Sequence, residues 1–291
     1  MKIFVHVHIY YANLWAELKN ALKNITVPYD LTISFVADHP EVEADILKFK
    51  SDAKIMHVEN KGWDIGPFIR ALQSIDLNDY DYVIKLHTKR DLPGLFSAND
   101  FPFYCRLLKG RLKYRNEWRR DLLRFLSSKK NFQKCLDAFE NDSQLGMTSY
   151  FELICNGGEG DNVAYEQAQE LLSRMGFSKK DFTFVAGTMF MTREKLLIPF
   201  CKVPESIDIF TETRREDISG SAHILERALG GLVCLQDGKI ADAFTENQTF
   251  GFPWREIFID TLRFIFQIRV TNSGYKLIKI FKIPVYRKKV K

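Results

Sequence analysis

Lys2-Ile3-Phe4-Val5-His6-Val7-His8-Ile9-Tyr10 is a β-branched and aromatic run near the amino terminus. His6 and His8 alternate into it, and no small-residue cleavage site follows, so it reads as a buried first strand and not as a secretory signal. Working outward, helical spacing of Leu14, Leu18, Ala21, Leu22 and Ile25 predicts a helix to about Asn24, with Asn13 as its cap. Leu31–Ala37 is a second strand, Glu41–Phe49 a polar helix, and Ala53–Val58 a third strand. Gly66–Ile75 is helical, with Pro67 in its first turn. Asp81–Leu86 is a fourth strand. Strands separated by single helices predict a doubly wound, mostly parallel α/β sheet, with ligands bound at the carboxyl ends of the strands.

The remainder is less regular. Asp91 to about Asn141 reads as helical and basic, with helices at Asn116–Ser127 and Asn131–Phe139. Strands are expected at Leu145–Ser149, Phe182–Thr192, Leu232–Gln236 and Ile240–Phe244, and a helix at Asp217–Leu229. No composition shift marks a domain boundary before about residue 253.

The 291 residues carry a net charge of +5, and 46% are hydrophobic, which places the chain in the globular class. From Trp254 to the end there are ten basic and two acidic residues, so that stretch holds +8 and the first 253 residues hold −3. A neutral body with a basic end argues against a nucleic-acid protein and for one local anionic partner. Five cysteines without CxxC spacing argue against disulfides or zinc and suit a reducing cytoplasm. No stretch of 18 uncharged apolar residues occurs.

Four segments can carry chemistry. Glu59–Gly66 ends strand three, and its Asp64 either binds ligand or caps the following helix. Lys85-Leu86-His87-Thr88-Lys89 ends strand four. There Val83, Lys85, His87 and Lys89 share one face by alternation, and cations suit a phosphorylated ligand. Phe184–Phe190, with Ala186, Gly187 and Thr188, suggests close backbone approach by a ligand or by another strand. In Glu216–Arg227, an acid opens a helix, and His223, Glu226 and Arg227 share a face. That acid is either a general base or a cap. GxGxxG, GxxxxGK, HExxH and GxSxG are absent, and Asp79-Tyr80-Asp81 precedes strand four at the wrong edge for a ligand, so it reads as a turn.

Val5–Tyr11, Asn60–Phe68, Lys85–Lys89, Phe184–Phe190 and Ala222–Arg227, in this order, resemble the rhamnan synthesis protein F family of bacterial polysaccharide glycosyltransferases. Trp63 departs from the family, which usually has a small or basic residue there, and so does Met191, where an aromatic is common. The resemblance implies a GT-A-like fold over residues 1–253: a nucleotide-binding half (1–90), a helical insertion (91–143) and an acceptor or catalytic half (144–253), followed by a basic amphipathic tail (254–291). It implies an inverting enzyme that moves a sugar, rhamnose or another deoxyhexose, from a dTDP- or UDP-linked donor to a cell-surface glycan or lipid-linked acceptor. The alternatives are another nucleotide sugar such as a UDP-hexose, or a non-catalytic glycan- or lipid-binding subunit. Asp217 is the expected base, with Glu216 second and His223 nearby. Tyr10, Asp64, His87, Thr88, Lys89, Gly187, Thr188, Glu226 and Arg227 are the expected donor-binding residues. Where GT-A enzymes generally have a metal-binding DxD, this chain has Leu86-His87-Thr88-Lys89. The expectation is therefore no metal ligands and no required cofactor, transfer independent of or only weakly dependent on Mg²⁺ or Mn²⁺, and Lys89, with His87 beside it, on the diphosphate. The tail, read as amphipathic basic helices, predicts peripheral attachment to the anionic inner face of the cell membrane.

Overall fold

The computed structural model describes residues 1–89, 118–158, 162–178, 180–201, 221–244, 265–270, 275–281 and 283–289. Contacts divide the chain into one unit of Met1–Lys89 with Leu122–Thr245, and a second of Arg90–Asp121 with Glu246–Lys291.

The first unit is built on β1 (Ile3–Ile9), β2 (Tyr29–Phe35), β3 (Lys54–His57), β4 (Tyr82–His87), β5 (Leu145–Thr148), β8 (Phe190–Arg193) and β9 (Lys239–Ala241). These form a seven-stranded sheet in the order β3-β2-β1-β4-β8-β5-β9. The first four strands in that order are mutually parallel, and only β8 runs against its neighbours. Helices α1 (Trp15–Leu22), α2 (Pro40–Phe49) and α3 (Ile65–Gln73) alternate with β1–β4. The fold is thus α/β, with the mostly parallel sheet flanked by helices that the sequence led us to expect.

Strand order locates the functional edge. The chain steps from β1 to β2 to β3 in one direction and then returns to place β4 on the other side of β1. Right-handed crossovers put α3 on the face opposite α1 and α2. Accordingly Ile65, Phe68, Ile69, Ala71 and Leu72 of α3 pack with Phe4 and Val83. The reversal lies between β1 and β4, and parallel sheets bind ligands outside the carboxyl ends of the strands at such a point.

β1 is buried along its whole length, His6 and His8 included, because it is a central strand covered on both faces. The face it shares with α3 changes character along the strand. In register, Phe4 pairs with Val83, His6 with Lys85 and His8 with His87. Apolar packing at the amino end therefore gives way to four ionisable side chains at the carboxyl end.

Several expectations are corrected. Asn13 makes no cap bond; Ala12–Leu14 is a 3-10 turn leading into α1. Phe182–Thr192 is not one strand. It splits into β7 (Thr183–Val185), paired with β6 (Ile154–Asn156), and β8 in the main sheet. The break is made by two successive left-handed residues, Gly187 (φ +82°) and Thr188 (φ +48°). Leu232–Gln236 is no strand either. Leu232–Leu235 end the long helix Ser221–Leu235, whose burial on most sides erases the helical period, and Gln236 begins the turn after it. The longer helices after β4 are α4 (Lys129–Asn141), α5 (Asn162–Arg174) and α6 (Ser221–Leu235).

Gly230 explains how α6 lies so close to β7. A Cβ there would stand 2.4 Å from Phe184 Cα and 2.4 Å from the Thr183 carbonyl oxygen. Gly230→Ala should therefore destabilise the first unit by about 1–3 kcal/mol through overpacking, although Ala gains roughly 1 kcal/mol over Gly in a helix interior. Urea unfolding of the variant would check the sign.

The second unit contains β10 (Phe266–Val270), β11 (Tyr275–Ile280) and β12 (Ile283–Lys289), which form an antiparallel three-stranded sheet. This corrects the expected amphipathic helices over those residues. Short-period alternation of β-branched and basic residues suits a strand better than a helix. Residues 91–117, 216, 217 and 252–264, on which further expectations fell, lie outside the described residues.

Candidate donor site at the carboxyl edge of the sheet

The site is assembled from β1, β4, the start of α3 and the Gly187-Thr188 turn. Asp64 precedes α3 but makes no cap hydrogen bond. Its carboxylate turns into the sheet, where Oδ2 meets Lys85 Nζ, Thr188 Oγ1 at 2.5 Å and His87 Nδ1 at 3.2 Å. The capping role weighed for Asp64 is thus replaced by an internal one.

Lys85 is fully buried. Its ammonium donates to Asp64, to the Thr188 carbonyl at 3.1 Å and to Thr188 Oγ1 at 2.7 Å. It also lies over the Phe68 ring, 5.6 Å from the centroid. A lysine this enclosed occurs almost only when paired. Thr188 is β-branched with positive φ, a conformation costing about 1–3 kcal/mol, which persists where surrounding bonds over-determine it. Three bonds from Asp64 and Lys85 do so here.

Burial alone would raise the Asp64 pKa, but His87, Lys85 and Lys89, with the Lys85 hydrogen bond, hold the carboxyl well below the ordinary range. Burial pulls Lys85 below the usual lysine value while Asp64 opposes it. We take the pair as ionised. His87 contributes only when protonated, and burial pushes its own pKa well below 6.5, so Lys85 is the partner that matters.

The neighbouring histidines are neutral for the same reason. Burial lowers His8 to about 4 and His6 well below 6.5. Ser34 Oγ joins them, 2.9 Å from His6 Nε2 and 3.0 Å from His8 Nδ1. A histidine held neutral when folded takes up a proton when released, so its stabilisation is complete above about pH 6.5 and fades as pH falls towards 4. For His8 alone that is ~3 kcal/mol, with His6 and His87 adding in the same direction. Urea unfolding between pH 7.5 and 4.5 should show this loss, and a flat profile would contradict the neutral assignment.

The edge is closed by backbone contacts. Thr88 Oγ1 accepts from the amides of Tyr10 at 2.9 Å and Tyr11 at 3.0 Å, tying the end of β1 to the end of β4. Tyr10 is left half exposed, its ring 4.9 Å from that of Tyr11. Lys89, just past β4, is partly buried and adds positive potential at Asp64. Across the turn, the Gly187 amide donates to Glu226 Oε1 at 2.7 Å. Arg227 is buried, donating to the Gly157 carbonyl at 2.9 Å and stacking 4.6 Å from the Phe184 ring centroid. The departure at Trp63 has a physical setting. It sits at φ +52° and meets the His223 ring edge-on at 5.2 Å.

The structure therefore brings Asp64, His87, Thr188, Gly187 and Glu226 into one neighbourhood, with Thr88 and Tyr10 on the adjoining strand ends. Lys85, His6, His8 and Ser34 were not singled out as site residues. A lysine inside the apolar strand Tyr82–His87 was the signal for the first of them. Asp217 and Glu216 lie outside the described residues. Among the described residues, no group of three His, Cys, Asp or Glu side chains is placed to hold a metal ion. Asp79 and Asp81 lie at the opposite, amino edge of β4, where Asp81 accepts from the Lys2 amide at 2.6 Å, so the Asp-Tyr-Asp string is a turn.

An α/β sheet whose strand order reverses beside β1, with a charged, strained cluster at that point, is of the doubly wound type. More particularly, residues 1–237 match the rhamnan synthesis protein F family, and the chain belongs to it. It is 25% identical over 256 residues to the uncharacterized protein WxcX of Xanthomonas campestris pv. campestris, strains B100 and ATCC 33913. The match covers 85% of this chain and 33% of theirs, so the chain spans about a third of the length of these curated relatives. The crystal structure of S. aureus TarS 1–349 aligns at 11% identity with a TM-score of 0.41, covering 79% of this chain and 56% of that one.

Proposed function

We propose that the chain is a glycosyltransferase of polysaccharide synthesis. It moves rhamnose or another deoxyhexose from a dTDP- or UDP-linked donor to a glycan or lipid-linked acceptor, with inversion. The observation that carries this is the buried Asp64–Lys85–Thr188–His87 cluster at the switch point. Keeping two charges and a strained threonine out of water is unfavourable for stability, and such perturbed groups concentrate at functional sites. Family membership supplies the reaction class.

In this reading Tyr10 lies beside the base, and Lys89 with Thr88 faces the diphosphate. Glu226 fixes the Gly187-Thr188 turn against the donor, and Arg227 holds the neighbouring Gly157 carbonyl and Phe184 ring. The acceptor hydroxyl attacks the anomeric carbon as the bond to the diphosphate oxygen breaks. Its proton passes to Asp217, or to Glu216 as second candidate, and the nucleoside diphosphate departs. The residues present do not suit a divalent cation on Asp64, because an ammonium, Lys85, already occupies that position. No step here uses a metal, and activity should survive EDTA.

The second unit favours an anionic membrane surface. Phe281, Ile283 and Val285 are more than half exposed, beside Arg287, Lys288 and Lys289. Cations near such a surface contribute about 1 kcal/mol each. No helix among the described residues is long and apolar enough to cross a membrane. The chain should sediment with phosphatidylserine vesicles at low salt and be released at high salt.

The reading is tested by release of nucleoside diphosphate from dTDP-rhamnose and UDP-glucose in the presence of lipid-linked glycan. Turnover in EDTA supports it. Absence of turnover, with glycan or lipid still bound, favours a binding subunit.

A further inference from the structure

We infer that His87 accepts a hydrogen bond through Nε2 from a hydroxyl of the bound sugar or ribose, while Asp64 fixes its ring. This rests on the donor-site reading above and replaces the expectation that His87 faces the diphosphate.

His87 is the last residue of β4, beside His8 across the switch point. It is 3% exposed, and its Nε2 is buried without a hydrogen-bond partner. Such orphans are rare in folded proteins. Its Nδ1 stands 3.2 Å from Asp64 Oδ2. An ionised carboxylate only accepts, so the proton belongs on Nδ1 and Nε2 presents a lone pair. A lone pair repels phosphate oxygens and suits an O–H donor. The groups around the ring enforce neutrality: burial, Lys85, Lys89 and His8 all disfavour the imidazolium, and Asp64 alone favours it. Two lysines also supply the local positive charge without it. His6 Nδ1 is unpartnered too, but it lies one layer deeper, level with Lys85, away from the strand ends.

The arrangement sorts the ligand. Lys89 meets the anionic part, and a neutral imidazole meets a hydroxyl. An analogue lacking that hydroxyl leaves Nε2 buried and unsatisfied, which makes His87 a specificity determinant.

The test combines tautomer and affinity. Long-range ¹⁵N–¹H spectra of the ¹⁵N-histidine-labelled chain, with His87 assigned by its loss in His87→Gln, should show a protonated Nδ1 and a pyridine-like Nε2 at pH 7. Calorimetry would then compare the wild type, His87→Phe and His87→Gln against dTDP-rhamnose, UDP-glucose, dTDP, UDP and inorganic diphosphate, with folding of each variant confirmed by its thermal transition. His87→Phe, a ring without an acceptor, should lose about tenfold or more in affinity, and His87→Gln, which keeps an acceptor, should recover most of it. Loss confined to the nucleotide sugars assigns the sugar hydroxyl; equal loss with dTDP and UDP assigns the pentose. Loss with inorganic diphosphate overturns the inference, as does a protonated Nε2. A wild type that binds no probe, with the expected tautomer, overturns the donor-site reading and the ligand half of this inference with it.

Discussion

Asp64→Asn should destabilise the first unit by about 3–5 kcal/mol, because it leaves a buried ammonium without its counter-charge. That is a large part of the 5–15 kcal/mol typical of a domain. Lys85→Met should be milder. Asp64 is 14% exposed at its side chain and can rehydrate, whereas Lys85 is wholly enclosed. The double variant should recover much of the Asp64→Asn loss, because it removes both charges together. A urea double-mutant cycle measures this directly. A loss below about 1 kcal/mol for Asp64→Asn, in the range of an exposed ion pair, would mean that Lys85 finds another partner. The depressed Asp64 pKa adds a pH signature: its contribution is complete above the unfolded carboxyl value near 4 and is lost only as pH falls towards the lower folded value.

The largest effect on activity is expected from Asp217→Asn. Removing a general base costs about 10²–10⁴-fold in turnover, and donor affinity should not change. Glu216→Gln should retain most activity. In the proposed mechanism, stabilisation of the departing diphosphate is a separate contribution assigned to Lys89, and such electrostatic terms are often the larger. If Asp217→Asn abolishes donor binding together with transfer, the residue holds the donor and is not the base.

The strand–helix alternation of the first 90 residues was legible because each element carries its own period and the crossovers are short. β1 to β4 fall within two residues of their expected ends. Legibility ended where burial removes the period. Leu232–Gln236 reads as a strand because the end of α6 is enclosed, and Phe182–Thr192 conceals a turn because Thr188 adopts a backbone that its side chain ordinarily disfavours. That conformation follows from Asp64, 124 residues away, and no local window contains it. The candidate site was half visible. Asp64, His87 and Thr188 stood out by chemistry and position. Lys85 was read as one cation of the strand-end segment and not as a site residue, because its meaning depends on a partner from another element. The end of the chain misled for a different reason: alternating isoleucine and lysine satisfies a loose helical pattern as well as a strand, and pairing between β11 and β12 decides it.

The most direct measurement is thermal stability of the whole chain against UDP, dTDP, UDP-glucose and dTDP-rhamnose, each in EDTA and in Mn²⁺ or Mg²⁺. A ligand bound only by the native state stabilises it by roughly 2.7 kcal/mol at a hundredfold excess over Kd. A donor site built on Asp64, Lys85, His87 and Lys89 predicts a shift with at least one nucleotide sugar, undiminished by EDTA. A shift seen only with metal, or none with any nucleotide, would contradict it.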